Sequence, residues 1–439
     1  MAKQTGARLY DIPLTTISLE DSEDFSGQDL ALPARRMPAV KMNMAKPLSG
    51  PLNPSLIPHI IDFLPIDDVH RYLGLSWVWL PHAATRLYRA VNFTQLSGDK
   101  MALFLKTLQS SVLSSQGTRR TLLDYCALVT AVTITHIVFE QQSPLQAWVN
   151  VRDILSLCAS NLEGISLGVG DDSVAELAAG HTYLHPSMKF VNLKRIEVTS
   201  KCPNMPENFV IELLRASPIE GLESIRFPRC MCNFSATGWF LIAERGGASL
   251  KDLELTPSVG FNMLGWEEGS FLSGVEQIVT SCPNIEFLDL SGHGLGFHLR
   301  LLNLYIDKMI HLKHLFLPYG LDDSHIVTML TTPPWPKLES LGLSCPNVDK
   351  KGMSWNKFAD NTLQALLEYI GRKVKSPKIR VFLPDYLIQV KTGRKIEMRL
   401  WLDFLNAKKN GANQWTYQSK LYISPPVNEL IRYRDVISE

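Results

Sequence analysis

The sequence predicts an α/β fold: a small helical module, then a solenoid of strand–helix units with parallel strands on one side and helices on the other. Three observations carry this. One hydrophobic pattern recurs along most of the chain, helical-period segments fill the intervals, and a separately patterned helical stretch precedes the first copy.

The chain has 439 residues, more than one typical core accommodates, so an elongated array or two domains is expected. Hydrophobic content of 45% and charged content of 20% are ordinary for a soluble globular protein. A net charge of +1 supplies no general attraction to nucleic acid or anionic membrane. Seven scattered cysteines, an odd number, suit reduced thiols and hence a cytoplasmic or nuclear setting. Residues 1–49 show neither helical nor strand period. They carry an acidic cluster (Glu20, Asp21, Glu23, Asp24) among Ser, Gly and Pro, and read as a disordered tail with no apolar run fit for a signal peptide. No segment offers the roughly 18 uninterrupted apolar residues of a membrane span.

Patterning begins in residues 50–95. Leu56, Ile60, Ile61 and Leu64 fall on one helical face, Pro65 ends that helix, and Asp67 is placed to cap the next. Val69, Tyr72 and Leu73 then point inward, and Gly74 permits a turn into Ser76-Trp77-Val78-Trp79. So few apolar residues make a core too small to stand alone comfortably, and such a module is expected to dock onto something.

The same residues resemble the F-box. Leu52-Asn53-Pro54-Ser55-Leu56, Ile60, Phe63-Leu64, Asp68-Val69 and Leu75-Ser76-x-x-Trp79 follow the family's L-P-x-E-L, I-x-x-F-L, D-L and V-x-x-x-W at the family's spacing. The continuation His82 to Val91 is similar to that of fungal members. Asn53 departs from the family's proline and Ser55 from its glutamate. The resemblance implies a substrate receptor of a cullin–RING ubiquitin ligase, without catalytic residues or cofactors. Its Skp-type adaptor would be held through Leu52, Pro54, Leu56, Ile60 and Leu64, with a cullin scaffold beyond. The two departures keep open an alternative, a protein-interaction scaffold with no part in ubiquitylation.

Residues 96–385 carry L-x-x-L-x-L, with aliphatic substitutions. Copies are Leu162-Ile165-Leu167, Leu193-Ile196-Val198, Leu222-Ile225-Phe227, Leu250-Leu253-Leu255, Ile285-Leu288-Leu290, Leu312-Leu315-Leu317 and Leu338-Leu341-Leu343. Their first positions lie 26 to 35 residues apart, the long end of a leucine-rich repeat. Val129-Val132-Ile134 and Ile379 to Leu383 read as the closing strands. Between copies, Ser143-Pro144-Leu145-Gln146 reads as a capping box ahead of Trp148, Val151, Ile154, Leu155 and Cys158. Ser273 and Glu276 read as a second box ahead of Ile278 and Val279. No unit buries its apolar stripe alone, so neighbours must stack into a horseshoe with parallel strands on its concave side. Ser281-Cys282-Pro283-Asn284-Ile285 and Cys158-Ala159-Ser160-Asn161-Leu162 resemble the cysteine-containing repeats often fused to F-boxes. Residues 386–439 read as a C-terminal cap and tail, with Trp401, Leu402 and Phe404 on a terminal helix.

In L-x-x-L-x-L the leucines point into the solenoid while the third and fifth positions face outward from the sheet. That sets Arg195 and Glu197, Ser224 and Arg226, Asp252 and Glu254, Phe287 and Asp289, and His314 and Phe316 side by side. From them we take Glu197, Arg226, Glu254, Phe287, Asp289, His314 and Phe316 as the site for an unidentified protein substrate. Arg226 between Glu197 and Glu254 makes a mixed field suited to a charged peptide. Phe287 and Phe316 read as exposed anchors, or else as rings covered by a loop or the C-terminal segment.

Other chemistry finds little purchase. Cys230-x-Cys232 lacks zinc spacing and a second ligand pair. His293, His298, His311, His314 and His325 fall on different predicted elements, which disfavours a shared metal. Gly292-x-Gly294-x-Gly296 leads to no lysine and opens no phosphate loop. Lys373, Lys375, Lys378, Arg380, Lys391, Arg394, Lys395 and Arg399 make the C-terminal region basic. Aromatic residues beside them are sparse, so a solvated capping face is expected rather than a nucleic-acid site.

Overall fold

The computed structural model describes residues 53–74, 76–93, 98–115, 121–134, 144–169, 183–200, 207–228, 234–256, 268–290, 308–316, 337, 339–342, 378–382, 386–389, 395–409 and 412–423. The predicted tail, Leu52, the Cys230-x-Cys232 pair, the Gly292–Gly296 turn, His293, His298 and His325 lie outside them. So do Leu317, Leu338 and Leu343 of the last repeat copies.

The helical module starts with a cap. Asn53 Oδ1 accepts the Ser55 N–H at 3.0 Å and the Ser55 hydroxyl at 2.9 Å, and Pro54 takes the first position of a 3-10 turn. Helix α1 (Ile57–Phe63) follows and ends where Leu64 and Pro65 turn extended. Helix α2 (Ile66–Val69) has Pro65 at its N-cap, so Asp67 lies inside the helix and does not cap it. Helix α3 spans Leu80–Tyr88. The module's core is Ile57, Ile61, Val69, Ala83 and Leu87, flanked by half-buried Leu64, Tyr72, Leu73 and Trp79. The buried stripe is therefore Ile57-Ile61-Leu64, one residue away from the expected Leu56-Ile60 edge. Residues 56, 60, 61 and 64 straddle two stripes of a 3.6-residue helix, and only one of these can face the core.

A single residue separates α3 from strand β1 (Ala90–Asn92), which lies in the segment that the sequence assigns to the helical module. Strands β2 (Ala131–Ile134), β3 (Gly164–Val169), β4 (Arg195–Ser200), β5 (Ser224–Phe227) and β6 (Asp252–Leu255) follow. Then come β7 (Phe287–Asp289), β8 (His314–Phe316), β9 (Ser340–Gly342) and β10 (Lys378–Phe382). Each pairs in parallel with the next, in chain order. From Val129 to Leu315, the first, fourth and sixth positions of the repeat are buried in one continuous apolar core.

The units are joined by the backbone in a repeated way. The carbonyl of the residue just before each of the strands β1 to β8 accepts two N–H groups from the following unit. Arg89 O takes Thr130 and Ala131, Glu163 O takes Lys194 and Arg195, and Lys194 O takes Glu223 and Ser224. Thr130, Glu223, Lys251, Glu286 and Lys313 do the same for the units that follow them, at 2.7–3.2 Å. Asparagines one residue before the first leucine add side-chain links: Asn192 Nδ2 donates to Ser160 O at 2.7 Å, and Asn284 Nδ2 to Ala248 O at 2.8 Å. The second of these is the asparagine of the Ser281–Ile285 phrase.

Helices α4 (Gly98–Ser115), α5 (Tyr125–Leu128), α6 (Pro144–Cys158), α7 (Glu207–Ala216), α8 (Ala236–Gly246) and α9 (Glu268–Ser281) fill intervals between strands. Trp148, Val151, Ile154, Leu155 and Cys158 of α6 are buried as the pattern requires. Ser273 is exposed within α9 and not at its cap, because the helix begins at Glu268 and S-x-x-E spacing also fits a helix interior. Ser235 caps α8, its backbone N–H and hydroxyl held by Glu207 Oε1 from the start of α7 at 2.7 and 2.8 Å.

The described residues of the C-terminal region are strand, not helix. β10 pairs antiparallel with β12 (Lys395–Lys409), which also pairs antiparallel with β11 (Tyr386–Gln389) and β13 (Ala412–Ile423). Trp401, Leu402 and Phe404 thus lie in a strand. Ile396, Met398, Leu400, Leu402 and Phe404 fall at every second position, the strand period that a helical reading overlooks. Lys378, Arg380, Lys395 and Arg399 sit on these strands, while Lys373, Lys375, Lys391 and Arg394 are outside the described residues.

This packing sets two expectations. A Cβ on Gly274 of α9 would collide with the buried Trp239 ring of α8, so Gly274→Ala should destabilise the protein by about 1–3 kcal/mol in urea unfolding. Cys126, Cys158 and Cys282 are buried thiols, and burial pushes Cys282 up to about 12. Peptide-resolved alkylation at pH 8 should leave these three unlabelled in the native state and labelled after denaturation.

Candidate functional site

Two surfaces draw together the residues that the sequence singles out. One is the face of the sheet turned away from the leucine core. Register places Glu197, Arg226, Glu254, Asp289 and Phe316 in one row across β4 to β8, with Gly342 of β9 next. Arg195, Ser224, Asp252, Phe287 and His314 form the parallel row. The predicted substrate residues are therefore neighbours.

Arg226 is the centre of that face. Its Nε and Nη2 donate to Asp252 Oδ2 at 3.0 and 2.8 Å, and Nη1 lies 3.5 Å from Glu197 Oε2. The Ser224 hydroxyl donates to the same Asp252 oxygen at 3.0 Å. Burial opposes the guanidinium charge, but Asp252, Glu197 and Glu254 outweigh it and hold its pKa above the ordinary value. The mixed field exists, and much of it is spent internally, on Asp252 more than on a visitor.

Of the two readings of the phenylalanines, exposed anchors or covered rings, the structure has buried rings. Phe316 is 0% exposed and Phe287 6%, so neither presents a surface ring. Their ring centroids are 5.6 Å apart, and Phe287 lies 5.8 Å from the His314 ring. Phe316 lies against Gly342, where any Cβ would strike its ring. Glu254 and Asp289 are also buried, at 2% and 3%. Alternation in a strand fixes which side of the sheet a side chain takes; it carries no information on what lies over that side.

The second surface is on the helical module. Pro54 and Leu56 are exposed, and Ile60 and Leu64 are partly exposed. Sequence reasoning missed the most exposed apolar groups: Phe63 at 89%, Trp77 at 71% and Val78 at 50%. The spacing of Leu56, Ile60 and Phe63 at i, i+4 and i+7 puts them along one helical stripe, opposite in role to Ile57-Ile61-Leu64. That spacing was available in the sequence, and the grouping of Leu56, Ile60, Ile61 and Leu64 on one helical face concealed it.

Among the described residues, no group of three or more His, Cys, Asp or Glu side chains is placed to hold a metal ion. His311 Nδ1 instead lies 3.0 Å from Lys337 Nζ. No helix among the described residues is long and apolar enough to cross a membrane. The chain matches no protein-family model and no curated protein.

Burial sets the expected behaviour of this face. Phe316→Ala should cost about 3–5 kcal/mol in urea unfolding, as a core ring does and a surface anchor does not. Arg226→Ala removes the guanidinium that pairs with both Asp252 and Glu197 and should cost about 3–5 kcal/mol, part of which Asp252→Asn in the same chain should recover.

Proposed function

We propose that this chain is a non-catalytic substrate receptor of a cullin–RING ubiquitin ligase, with an F-box-like module that binds a Skp-type adaptor and a leucine-rich-repeat array that holds a protein substrate. The observation that carries the reading is the pairing of a minimal core with an apolar exterior. Five buried residues hold the module together, while Leu56, Phe63, Trp77 and Val78 stand in solvent. Exposed aromatic and aliphatic groups on a small folded unit are the usual anchors of a protein interface. They sit in the segment that resembles the F-box.

The array's role in this reading is proximity. Holding a substrate beside a charged conjugating enzyme raises the effective concentration of its lysines, and no residue of this chain performs chemistry. The mixed charges around Arg226 support a charged peptide as the substrate. Substrate contact then falls on the partly exposed groups Arg195, Glu197 and Arg226 more than on the buried rings.

A scaffold without ubiquitylation is the second reading, favoured by Asn53 and Ser55. These two depart from the family pattern and satisfy each other in the helix cap.

The test is a titration of the full chain with a Skp-type adaptor, followed by cullin co-purification. Wild type should bind, and Phe63→Asp and Leu56→Asp, both at exposed sites, should melt as wild type yet lose at least tenfold in affinity. Absence of binding by wild type would favour the scaffold reading. Unchanged affinity in both variants would remove this stripe from the interface.

A further inference from the structure

The residue at each joint between units carries a side chain as well as the doubly accepting carbonyl. Along the sheet these residues are Arg89, Thr130, Glu163, Lys194, Glu223, Lys251, Glu286 and Lys313, and Glu339 holds the same position before β9, its N–H donating to Lys313 O. Their charges run plus, neutral, then minus and plus in strict alternation to the end. No two adjacent joints share a sign.

The alternation is realised in contacts. Lys194 Nζ lies 3.6 Å from Glu163 Oε2, and Lys313 Nζ donates to Glu286 Oε2. The Lys313 hydrogen bond holds the Glu286 carboxyl below the usual carboxylate range, with Lys313, Lys251 and Lys337 adding to the same effect. Its charge therefore persists to lower pH than that of an ordinary carboxylate. These side chains are 36–49% exposed, and each pair alone is worth little to stability.

We propose that this row of alternating charge fixes the order in which the units stack, so that each unit accepts its neighbour in sequence and rejects the next but one. The core cannot make that distinction. Every unit offers the same leucine pattern, and strands with interchangeable apolar faces pair in wrong registers or swap between chains. Skipping one unit would set Glu163 beside Glu223, Lys194 beside Lys251, Glu223 beside Glu286 and Lys251 beside Lys313. Parallel strands lie about 4.8 Å apart. From Glu163 onward every skipped pairing thus brings like charges together at the joint, where two backbone hydrogen bonds must also form, and every native one brings opposite charges. The stacking order is independent of whatever the module or the array binds.

The first variant exchanges signs without changing composition. Glu223→Lys with Lys251→Glu keeps net charge and keeps joints 223 and 251 opposite, but sets like charges at 194/223 and at 251/286. A second variant inverts all seven signs from Glu163 to Glu339 and preserves alternation. Both full-length chains are refolded from urea beside wild type, and the monomer yield is read by size exclusion with light scattering. At low ionic strength the exchange variant should give at most a third of the wild-type monomer yield, the remainder appearing as oligomer. In 1 M salt, where the Debye length is about 3 Å, the gap should close. The inverted variant should refold as wild type does. Equal yields for the exchange variant and wild type at low salt would overturn the proposal. So would a deficit that salt leaves unchanged, or an inverted variant that fails as the exchange variant does.

Discussion

The structure depends on one constraint: no strand–helix unit can satisfy its own edge. Each strand is three to six residues long from β1 to β10, and each presents unpaired backbone groups and an apolar stripe to the next. The doubly accepting carbonyl before each of β1 to β8 meets the first need, and stacked leucines meet the second. Because the joint recurs at the same position in every unit, the strands stay in register from Ala90 to Gly342. The rows of outward side chains are a direct consequence of that register.

The helical module is tied to this stack by chain continuity and by one shared ring. Tyr88, at the end of α3, packs against both the module's core and the core of the array. Its ring lies 6.0 Å from Phe104 of α4 and 4.6 Å from Tyr125 of α5. Arg89, next in sequence, supplies the first joint carbonyl. The two cores thus meet at Tyr88, while Phe63 and Trp77 of the module are exposed.

Much of this arrangement was legible in the residues. The L-x-x-L-x-L copies give the strands β2 to β9 and their buried positions, and alternation gives the outward rows. β1 was not legible, since Ala90-Val91-Asn92 is too short to repeat the pattern and only its neighbour β2 reveals it. The C-terminal strands were legible in the period-two spacing of Ile396 to Phe404, yet their large apolar residues also suit a helix. For the site the limits are sharper. Sequence alone places Phe287 and Phe316 on the outer face but is silent on burial, which arises from tertiary cover and from the room left by Gly342. On α1, deciding between the 57-61-64 and 56-60-63 stripes requires knowing which side meets Val69, Ala83 and Leu87, a long-range fact.

These features separate the two faces by character. The outer face of the array is closely engaged with itself, with Arg226 bound to Asp252 and the phenylalanines buried, whereas the module leaves large apolar groups in water. Hydrogen–deuterium exchange of the full chain, alone and with a Skp-type adaptor, compares these faces most directly. Protection confined to peptides spanning residues 54–64 and 76–80, with β4 to β8 unchanged, is the expected result. Protection on β4 to β8 instead, or no protection anywhere, would contradict the assignment of the module as the docking surface.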